Sequence, residues 1–209
     1  MKIGVTSKRV RVLHFPISNI MKKALIIDNH TKHLDQLRSL IPCETEVIDW
    51  NDFKTIGDSH YDVIILTGGS NMPPVAEYPE AYTNEQRLIR ETSIPLIGIC
   101  LGCELIAHEF GADIKVLDTA QKGFVSIAIH PPFDAAFPQK NMIAYEAHSR
   151  AITNLPDTFD LVATSDHGPE IIHHRKRNLW GIQFHPEHLT DRTLGDEIFI
   201  SILKRCLHS

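Results

Sequence analysis

A cysteine and a histidine, far apart in the sequence, have the residue types of a nucleophile and its general base. Cys100 lies between Gly98 and Gly102 and directly follows the apolar run 95–99. Glycines on both sides of a nucleophile are typical of a tight strand-to-helix turn, where larger side chains do not fit. The N-terminus of the helix that follows would place partial positive charge near the sulfur and favour the thiolate. The spacing therefore predicts a reactive thiolate at Cys100.

The segment 180–187 supplies the groups that a nucleophilic thiol needs beside it. His185 can accept the proton of Cys100 and later donate a proton to a departing nitrogen. Glu187 is placed to bind the second imidazole nitrogen and to stabilise the imidazolium. Because the histidine is far from the cysteine in sequence, only the fold can bring the two side chains together.

Backbone amides in two turns are candidates for stabilising an oxyanion. The amide of Leu101, directly after the candidate nucleophile, would point to the place where negative charge develops. Gly69 belongs to a Gly-Gly turn after the apolar run 62–66 and can supply a second donor. A pair of glycines alone indicates only a turn, but this pair stands one predicted strand before the nucleophile.

Short apolar runs that alternate with helical patterns must position these residues. Such alternation is typical of an α/β fold with parallel strands. We predict a three-layer α/β sandwich with a mainly parallel central sheet, helices on both faces and the site at the carboxyl ends of the strands. The second half of the chain has patterns that favour antiparallel or mixed pairing. The predicted strands are 24–27, 46–48, 62–66, 95–99, 123–129, 159–164, 170–174 and 179–184, and the predicted helices are 31–41, 80–92, 104–110 and a last one from 190 or 193 to 206.

Composition and charge limit the classes of partner. Of the 209 residues, 43% are hydrophobic and 22% are charged, which is typical of a globular protein with a core. The formal net charge of -5 provides no basic field, so we expect neither nucleic acid nor a membrane as a partner. Four cysteines are too few for a disulfide scaffold and favour a reduced, cytoplasmic protein.

The chain is predicted to divide into a short basic segment and one domain. Residues 1–20 contain lysines and arginines but no acidic residue. We expect an N-terminal extension or an extra strand there, because 2–5 and 10–15 are rich in β-forming residues. A transit peptide is the alternative. The domain is predicted to span 21–209.

Two motifs together resemble those of the class-I glutamine amidotransferases. They are Gly-Ile-Cys-Leu-Gly at 98–102 and Phe-His-Pro-Glu at 184–187. Within that family, the motifs are most similar to those of stand-alone amidotransferase subunits of the GMP synthetase type. The resemblance covers nearly everything from Met21 to the last helix, and it includes Ile-Ile-Asp-Asn at 26–29, Thr-Gly-Gly-Ser at 67–70 and the segment 147–165.

The resemblance implies a flavodoxin-like domain that hydrolyses the side-chain amide of glutamine through a cysteinyl thioester. The ammonia would pass to a synthetase on a separate chain, since no ATP-binding segment follows in the sequence. The resemblance implies no cofactor and no metal. It assigns the catalytic triad to Cys100, His185 and Glu187, the oxyanion donors to Gly69 and Leu101, and the substrate contacts to Glu104, Ala147, Ser149 and Arg150.

One position departs from the family pattern and keeps alternatives open. Glutamine is usual four residues after the nucleophile, where this chain has Glu104. A carboxylate there could bind the α-ammonium group of the substrate, but it would also disfavour the neighbouring thiolate. Glutamate at this position resembles the γ-glutamyl hydrolases, which share the fold and the triad. A free-standing γ-glutamyl hydrolase and a catalytically weak regulatory or binding module therefore remain alternatives.

Cys100 and Cys103 also fit two other kinds of site. Two cysteines at this spacing after a strand are typical of thioredoxin-like redox centres. Together with His185 and His188, the two thiols have spacings that suit a structural zinc site. The redox interpretation leaves the Phe-His-Pro-Glu motif unexplained.

Overall fold

The computed structural model describes residues 22–57, 60–133, 137, 141–189 and 193–208 of the chain. In this part, nine strands form one sheet, and four α-helices and a 3₁₀ turn accompany it. The strands are β1 (Lys23–Asp28), β2 (Glu44–Asp49), β3 (Val63–Leu66), β4 (Leu96–Ile99), β5 (Asp113–Ile129), β6 (Asn141–Thr153), β7 (Phe159–Ser165), β8 (Gly168–His174) and β9 (Leu179–Ile182). The helices are α1 (Leu34–Ser39), α2 (Thr83–Glu91), α3 (Leu101–Glu109) and α4 (Gly195–Leu207), and the 3₁₀ turn is Pro79–Tyr82.

Several predicted elements differ from the structure at their ends. The extension predicted over 1–20 lies outside the described residues, and so does residue 190, one of the two starts predicted for the last helix. The helix predicted over 80–92 is divided into the 3₁₀ turn and α2, because Pro79 favours the start of a turn.

None of the described helices is both long and apolar enough to cross a lipid bilayer.

Five strands form a parallel half of the sheet, in the order β2-β1-β3-β4-β9. β3 and β4 are buried at every residue, because other elements cover both faces of a central parallel strand. Leu66 at the end of β3 pairs with Gly98 of β4, which in turn pairs with Gly181 of β9. The carboxyl ends of these three strands therefore lie side by side, and the loops that follow them leave the sheet at one edge.

The prediction of an α/β fold is confirmed, but the prediction of a mainly parallel sheet was wrong. β8 pairs antiparallel with β9, and β7, β5 and β6 extend the sheet through further antiparallel pairs. The sequence predicts only 123–129 of the long strand β5. Residues 115–120 of this strand are mostly exposed, so no alternating pattern marked them. The sheet is therefore mixed.

The core consists of two apolar clusters that share the strands between them. Ala24 and Ile26 of β1 belong to one cluster, and Leu25 and Ile27 belong to the other. Successive side chains of a strand point to opposite faces, so the clusters lie on opposite faces of the sheet. Side chains of α1 and α4 contribute to the first cluster, and side chains of α2 and α3 contribute to the second.

Candidate active site

Cys100 lies in a tight turn between the end of β4 and the start of α3. Its backbone φ of +49° is in the left-handed region, which is strained for a residue with a side chain. The amide of Cys100 donates a hydrogen bond of 2.7 Å to the carbonyl oxygen of Ile182, which holds the turn against β9. A β-carbon on Gly102 would lie 2.5 Å from the carbonyl oxygen of Leu66, so a larger residue would not fit without a backbone shift. The turn thus places the sulfur at the carboxyl edge of the parallel strands.

His185 and Glu187 follow β9 and reach the same edge of the sheet. Nδ1 of His185 lies 2.9 Å from Oε1 of Glu187, whose side chain is buried. Cβ of Cys100 and Cε1 of His185 lie 3.3 and 3.2 Å from the point that a β-carbon on Gly68 would occupy. The structure therefore brings the cysteine and the histidine together, with Gly68 leaving the space between them.

The surroundings of His185 favour its protonated form. Burial alone would lower the pKa of this imidazole, but the neighbouring Cys100 thiolate and the Glu187 carboxylate raise the pKa well above its usual range. An imidazolium next to a sulfur stabilises the thiolate, which is the attacking form of cysteine. The electrostatics therefore suit an ion pair between the two side chains.

The loop after β3 contacts the first residue of α3. A β-carbon on Gly69 would lie 2.6 Å from Cδ2 of Leu101, so the two predicted oxyanion donors are neighbours beside the thiol. The loop is held to the end of β1 by hydrogen bonds that the sequence interpretation missed, two of which involve the hydroxyl group of Thr67. The amide of Asn29 donates to Oγ1 of Thr67 over 2.8 Å, and this hydroxyl donates to Oδ1 of Asp28 over 3.1 Å.

An open cleft of about 550 Å³ lies in front of the thiol. The loop after β3 and the first turn of α3 form one wall, and β6 forms part of the other. The four residues predicted to contact the substrate, Glu104, Ala147, Ser149 and Arg150, all line this cleft. The structure thus brings the predicted triad, oxyanion and substrate residues to one place.

Glu104, the residue that departs from the family pattern, is buried in the first turn of α3. Nε2 of Gln183 donates a hydrogen bond of 3.4 Å to Oε1 of Glu104. Burial raises the pKa of Glu104, and the bond from Gln183 and the charges of His148 and Arg150 oppose this effect only in part. Ionisation of the carboxyl group is therefore disfavoured, which reduces its repulsion of a thiolate.

Cys103 is fully buried behind the turn that carries Cys100. A β-carbon on Gly181 would lie 2.6 Å from its sulfur, and burial raises the pKa of the thiol well above its usual range. Both cysteines are free thiols. Among the described residues, these two thiols do not form a three-ligand cluster with His185 and His188. The structure therefore supports neither the redox nor the zinc interpretation.

The sequence interpretation also missed an aromatic wall of the cleft. The rings of Tyr145 and His188 are stacked with their centroids 3.6 Å apart, and His33 packs edge-on against His188 at 5.6 Å. The amide of His185 donates a hydrogen bond of 2.8 Å to the carbonyl oxygen of Tyr145, which connects the candidate base to β6. In the sequence, the position of His188 directly after the Phe-His-Pro-Glu motif could have indicated that its ring lies at the cleft.

A second group of polar side chains is buried beside the cleft. Glu146 and His148 of β6 and Glu170 of β8 are 2%, 7% and 1% exposed. One potential ligand atom from each lies within 4.8 Å of the other two. Oγ of Ser165 donates a hydrogen bond of 2.7 Å to Glu170, and burial together with the adjacent Glu146 raises the pKa of Glu170 to about 9. The sequence interpretation did not assign a role to these carboxyl groups.

Similarity to known proteins extends over most of the chain. The family model described as glutamine amidotransferase class-I matches residues 25–204. One of the subunits of the glutamine-hydrolyzing GMP synthase of Natronomonas pharaonis is 31% identical over 195 residues, which cover 89% of this chain and 98% of the relative. Its counterpart in Methanococcus maripaludis strain C5 is 29% identical over 183 residues, which cover 86% of this chain and 89% of the relative. A crystal structure described as a GMP synthase subunit from Thermoplasma acidophilum has a TM-score of 0.79 and 25% identity, covering 91% of this chain and 96% of that one.

Proposed function

This chain belongs to the class-I glutamine amidotransferase family, and we propose that it hydrolyses the side-chain amide of glutamine to glutamate and ammonia. The observation that carries the proposal is the meeting of Cys100 and His185 at one edge of the sheet, with Glu187 bound to the far side of the imidazole. Cys100 is the nucleophile, His185 is the general acid and base, and Glu187 stabilises the imidazolium.

The proposed reaction proceeds through a cysteinyl thioester. The thiolate of Cys100 attacks the side-chain carbonyl carbon, and the amides of Gly69 and Leu101 donate hydrogen bonds to the oxyanion. Each such donor is worth on the order of 3 kcal/mol of the barrier in comparable sites. His185 then gives its proton to the departing nitrogen, ammonia leaves and the thioester forms. The neutral imidazole takes a proton from water, which attacks the thioester and releases glutamate.

We assign the α-carbon end of the substrate to the space between α3 and β6. The carboxylate form of Glu104 can accept a charge-assisted hydrogen bond from the α-ammonium group. Arg150 lines the same cleft, and its Nη2 lies 3.8 Å from the exposed Glu77, so the guanidinium can instead reach the α-carboxylate. Ala147 and Ser149 supply backbone groups along β6.

The ammonia is proposed to pass to a synthetase on a separate chain. Two relatives that match this chain over most of their length are named as subunits of a glutamine-hydrolyzing GMP synthase, which supports a division of labour between chains. The synthetase would consume the ammonia that the cleft releases. No cofactor or metal takes part in the proposed thiol chemistry.

Three features of organisation belong to the same proposal. Helices are proposed to cover both faces of the sheet, which is supported by the sharing of one apolar cluster by α1 and α4 and of the other by α2 and α3. One amidotransferase domain over 21–209 is proposed to follow an N-terminal extension over 1–20. A cytoplasmic location is proposed from the free cysteines.

Hydrolysis of another γ-glutamyl compound is the second candidate function. The observation that favours it is the buried carboxyl group of Glu104 in the cleft, where the family usually has glutamine. The same triad would cleave the γ-glutamyl bond of an amine or a peptide. A purely regulatory module has less support, because it has no physical need for a thiol, an imidazole and a carboxylate in this arrangement.

The proposal is tested by measuring ammonia and glutamate released from glutamine, beside amine release from a panel of γ-glutamyl amines and peptides. The assay uses the chain alone and any complex that co-purifies with it. We expect glutamine hydrolysis by the wild type, none by Cys100→Ala, and wild-type rates for Cys43→Ala, which changes a half-buried cysteine outside the cleft. Ammonia release by Cys100→Ala at the wild-type rate would overturn the assigned mechanism, and activity on γ-glutamyl amines alone would favour the second candidate.

A further inference from the structure

The cluster of Glu146, His148 and Glu170 lies beside the cleft but has no part in the proposed reaction. We propose that these three side chains bind a divalent transition-metal ion, of which Zn²⁺ and Mn²⁺ are the natural probes. The ion would join β6 to β8 and stiffen the strand that lines the substrate cleft. This site goes beyond the proposed glutaminase function, which needs no metal.

The arrangement of the strands places the three ligands together. Residues two apart on a strand point to the same face, and the buried face of β6 carries Met142 and Ala144 followed by Glu146 and His148. This face changes from apolar to polar as β6 approaches the cleft. Glu170 reaches the polar end from β8, so carboxyl groups from two strands converge on one imidazole.

The distances suit a small cation. Nε2 of His148 lies 3.5 Å from Oε2 of Glu146, and the ligand atoms of all three residues lie within 4.8 Å of one another. Zinc binds imidazole nitrogen and carboxylate oxygen at about 2.0 to 2.2 Å, so neighbouring ligands of a tetrahedral ion stand about 3.3 to 3.6 Å apart. The 3.5 Å between His148 and Glu146 matches this spacing.

The orientation of His148 is the independent observation that points to a ligand. Its Nδ1 lies 2.6 Å from the carbonyl oxygen of Arg150, which can only accept, so Nδ1 carries a proton. With its proton on Nδ1, the ring directs Nε2 toward the two carboxyl groups, where its lone pair can bind a cation. A carbonyl that fixes the tautomer in this way is the usual outer support of a metal-binding histidine.

Burial and charge also favour a cation here. Nε2 of His148, Oε1 of Glu146 and Oε2 of Glu170 are buried and have no hydrogen-bond partner among the described residues. Unpaired polar atoms are costly inside a protein, and two carboxylates this close would repel one another unless a cation or a shared proton lies between them. A divalent ion bound by the three side chains would balance both negative charges. An imidazole with two carboxylates is a donor set that suits zinc and manganese.

The cluster lies directly behind one wall of the cleft. His148 belongs to both the cleft lining and the cluster, and its side chain is buried. The neighbouring residues Ala147 and Ser149 belong to the proposed substrate site. Occupancy of the metal site would therefore restrict the backbone that faces glutamine without touching the reacting thiol.

The test uses the full chain, first treated with a chelator and then dialysed against Zn²⁺ or Mn²⁺. We expect about one bound ion per chain by elemental analysis of the wild type. The double variant Glu146→Gln/Glu170→Gln keeps the shapes of both side chains, and it should lose this ion. Glu85→Gln is the matched control, because Glu85 is also a buried glutamate but lies outside the cluster, and it should bind as the wild type does. Thermal unfolding should show stabilisation by the metal in the wild type and in Glu85→Gln only.

X-ray absorption of the metal-loaded wild type provides a readout that needs no variant. We expect nitrogen and oxygen neighbours at about 2.0 to 2.2 Å and no sulfur. A sulfur neighbour would assign the ion to a cysteine and overturn the proposal. Equal binding by the wild type and the folded double variant would also overturn it. So would a wild type that binds no metal, in which case the two carboxyl groups share a proton instead.

Discussion

The two halves of the sheet supply different parts of the candidate site. The parallel half, β2-β1-β3-β4-β9, brings its reactive groups from the loops directly after buried apolar strands. Cys100 follows β4, Gly69 follows β3 and His185 follows β9. The antiparallel half, β8-β7-β5-β6, instead presents residues from within a strand, as β6 does with Ala147 and Arg150.

This difference separates chemistry from selectivity. Reactive groups at strand ends are held by backbone contacts, such as the hydrogen bond from Cys100 to Ile182. The positions of the groups on β6 depend on the packing of that strand, whose buried face contains the polar residues Glu146 and His148. We therefore expect substitutions of the reactive residues at the strand ends to abolish turnover. Substitutions of the cleft residues that contact the substrate should instead alter the preferred substrate.

The largest expected effect comes from removing the base. His185→Ala should lower kcat for glutamine hydrolysis by about 10⁴-fold or more, because the thiol loses both its base and the acid for the leaving group. His130→Ala is the matched change in the antiparallel half, where His130 bonds to Thr164 at 2.9 Å, and it should leave kcat near the wild-type value. If both variants are folded and lose kcat to a similar extent, the two halves of the sheet do not differ in the way proposed here.

A smaller loss should follow from Glu187→Gln. We expect kcat to fall by about 10²-fold, because the imidazole stays in place but loses its stabilising charge. The carboxylate helps to raise the pKa of His185, so the variant should lose the imidazolium at a lower pH. The alkaline limb of the profile of kcat/KM against pH should therefore move to lower pH. An unmoved limb would mean that Glu187 does not act through His185.

Replacing a glycine in the turn that carries Cys100 should destabilise the fold more than replacing a glycine in β5. Gly102→Ala should destabilise the fold by about 3 kcal/mol, because the new methyl group would meet the carbonyl oxygen of Leu66 at 2.5 Å. Gly123→Ala in β5 has open space around it and suffers only from its φ of +136°, which costs about 1 kcal/mol. Urea unfolding of both variants measures the difference. Equal costs would show that the turn that carries Cys100 is not tightly packed.

The smallest of these effects should come from Glu104→Gln. We expect kcat/KM for glutamine to rise by up to about tenfold, because the amide oxygen can still accept a hydrogen bond from the α-ammonium group while the negative charge near the thiolate is removed. Burial raises the pKa of Glu104, so the gain should be small at low pH and should grow as the carboxyl group ionises. Parallel assays with a γ-glutamyl amine complete the test. Loss of γ-glutamyl amine hydrolysis in the folded variant, with no gain on glutamine, would favour the γ-glutamyl hydrolase interpretation.

The four inner strands of the parallel half, β1, β3, β4 and β9, could be predicted from the sequence because each contains an unbroken apolar run. The predicted strands 24–27, 62–66, 95–99 and 179–184 agree with β1, β3, β4 and β9 within two residues at each end. Buried parallel strands are covered on both faces, so they need no alternation to be recognised. The placement of Cys100 and His185 at the ends of such strands made them recognisable as candidates.

The other half could not be predicted as well, for two physical reasons. Residues 115–120 of β5 are mostly exposed, so their hydrophobicity does not alternate with the two-residue period of a half-buried strand. The buried face of β6 includes Glu146 and His148, which are residue types of a surface rather than of a core. Contacts between distant strands, such as the approach of Glu170 to Glu146, depend on strand order and leave no local signal.

The pairing of Cys100 with His185 is tested most directly by labelling the chain with a glutamine analogue that carries an electrophilic chloroketone at the γ-position. Mass spectrometry of the digested protein then identifies the modified residue. We expect one adduct on Cys100, protection by glutamine, and much slower labelling of His185→Ala. Labelling of another cysteine, or equally fast labelling of Cys100 without the histidine, would contradict the pairing of this thiol with this imidazole.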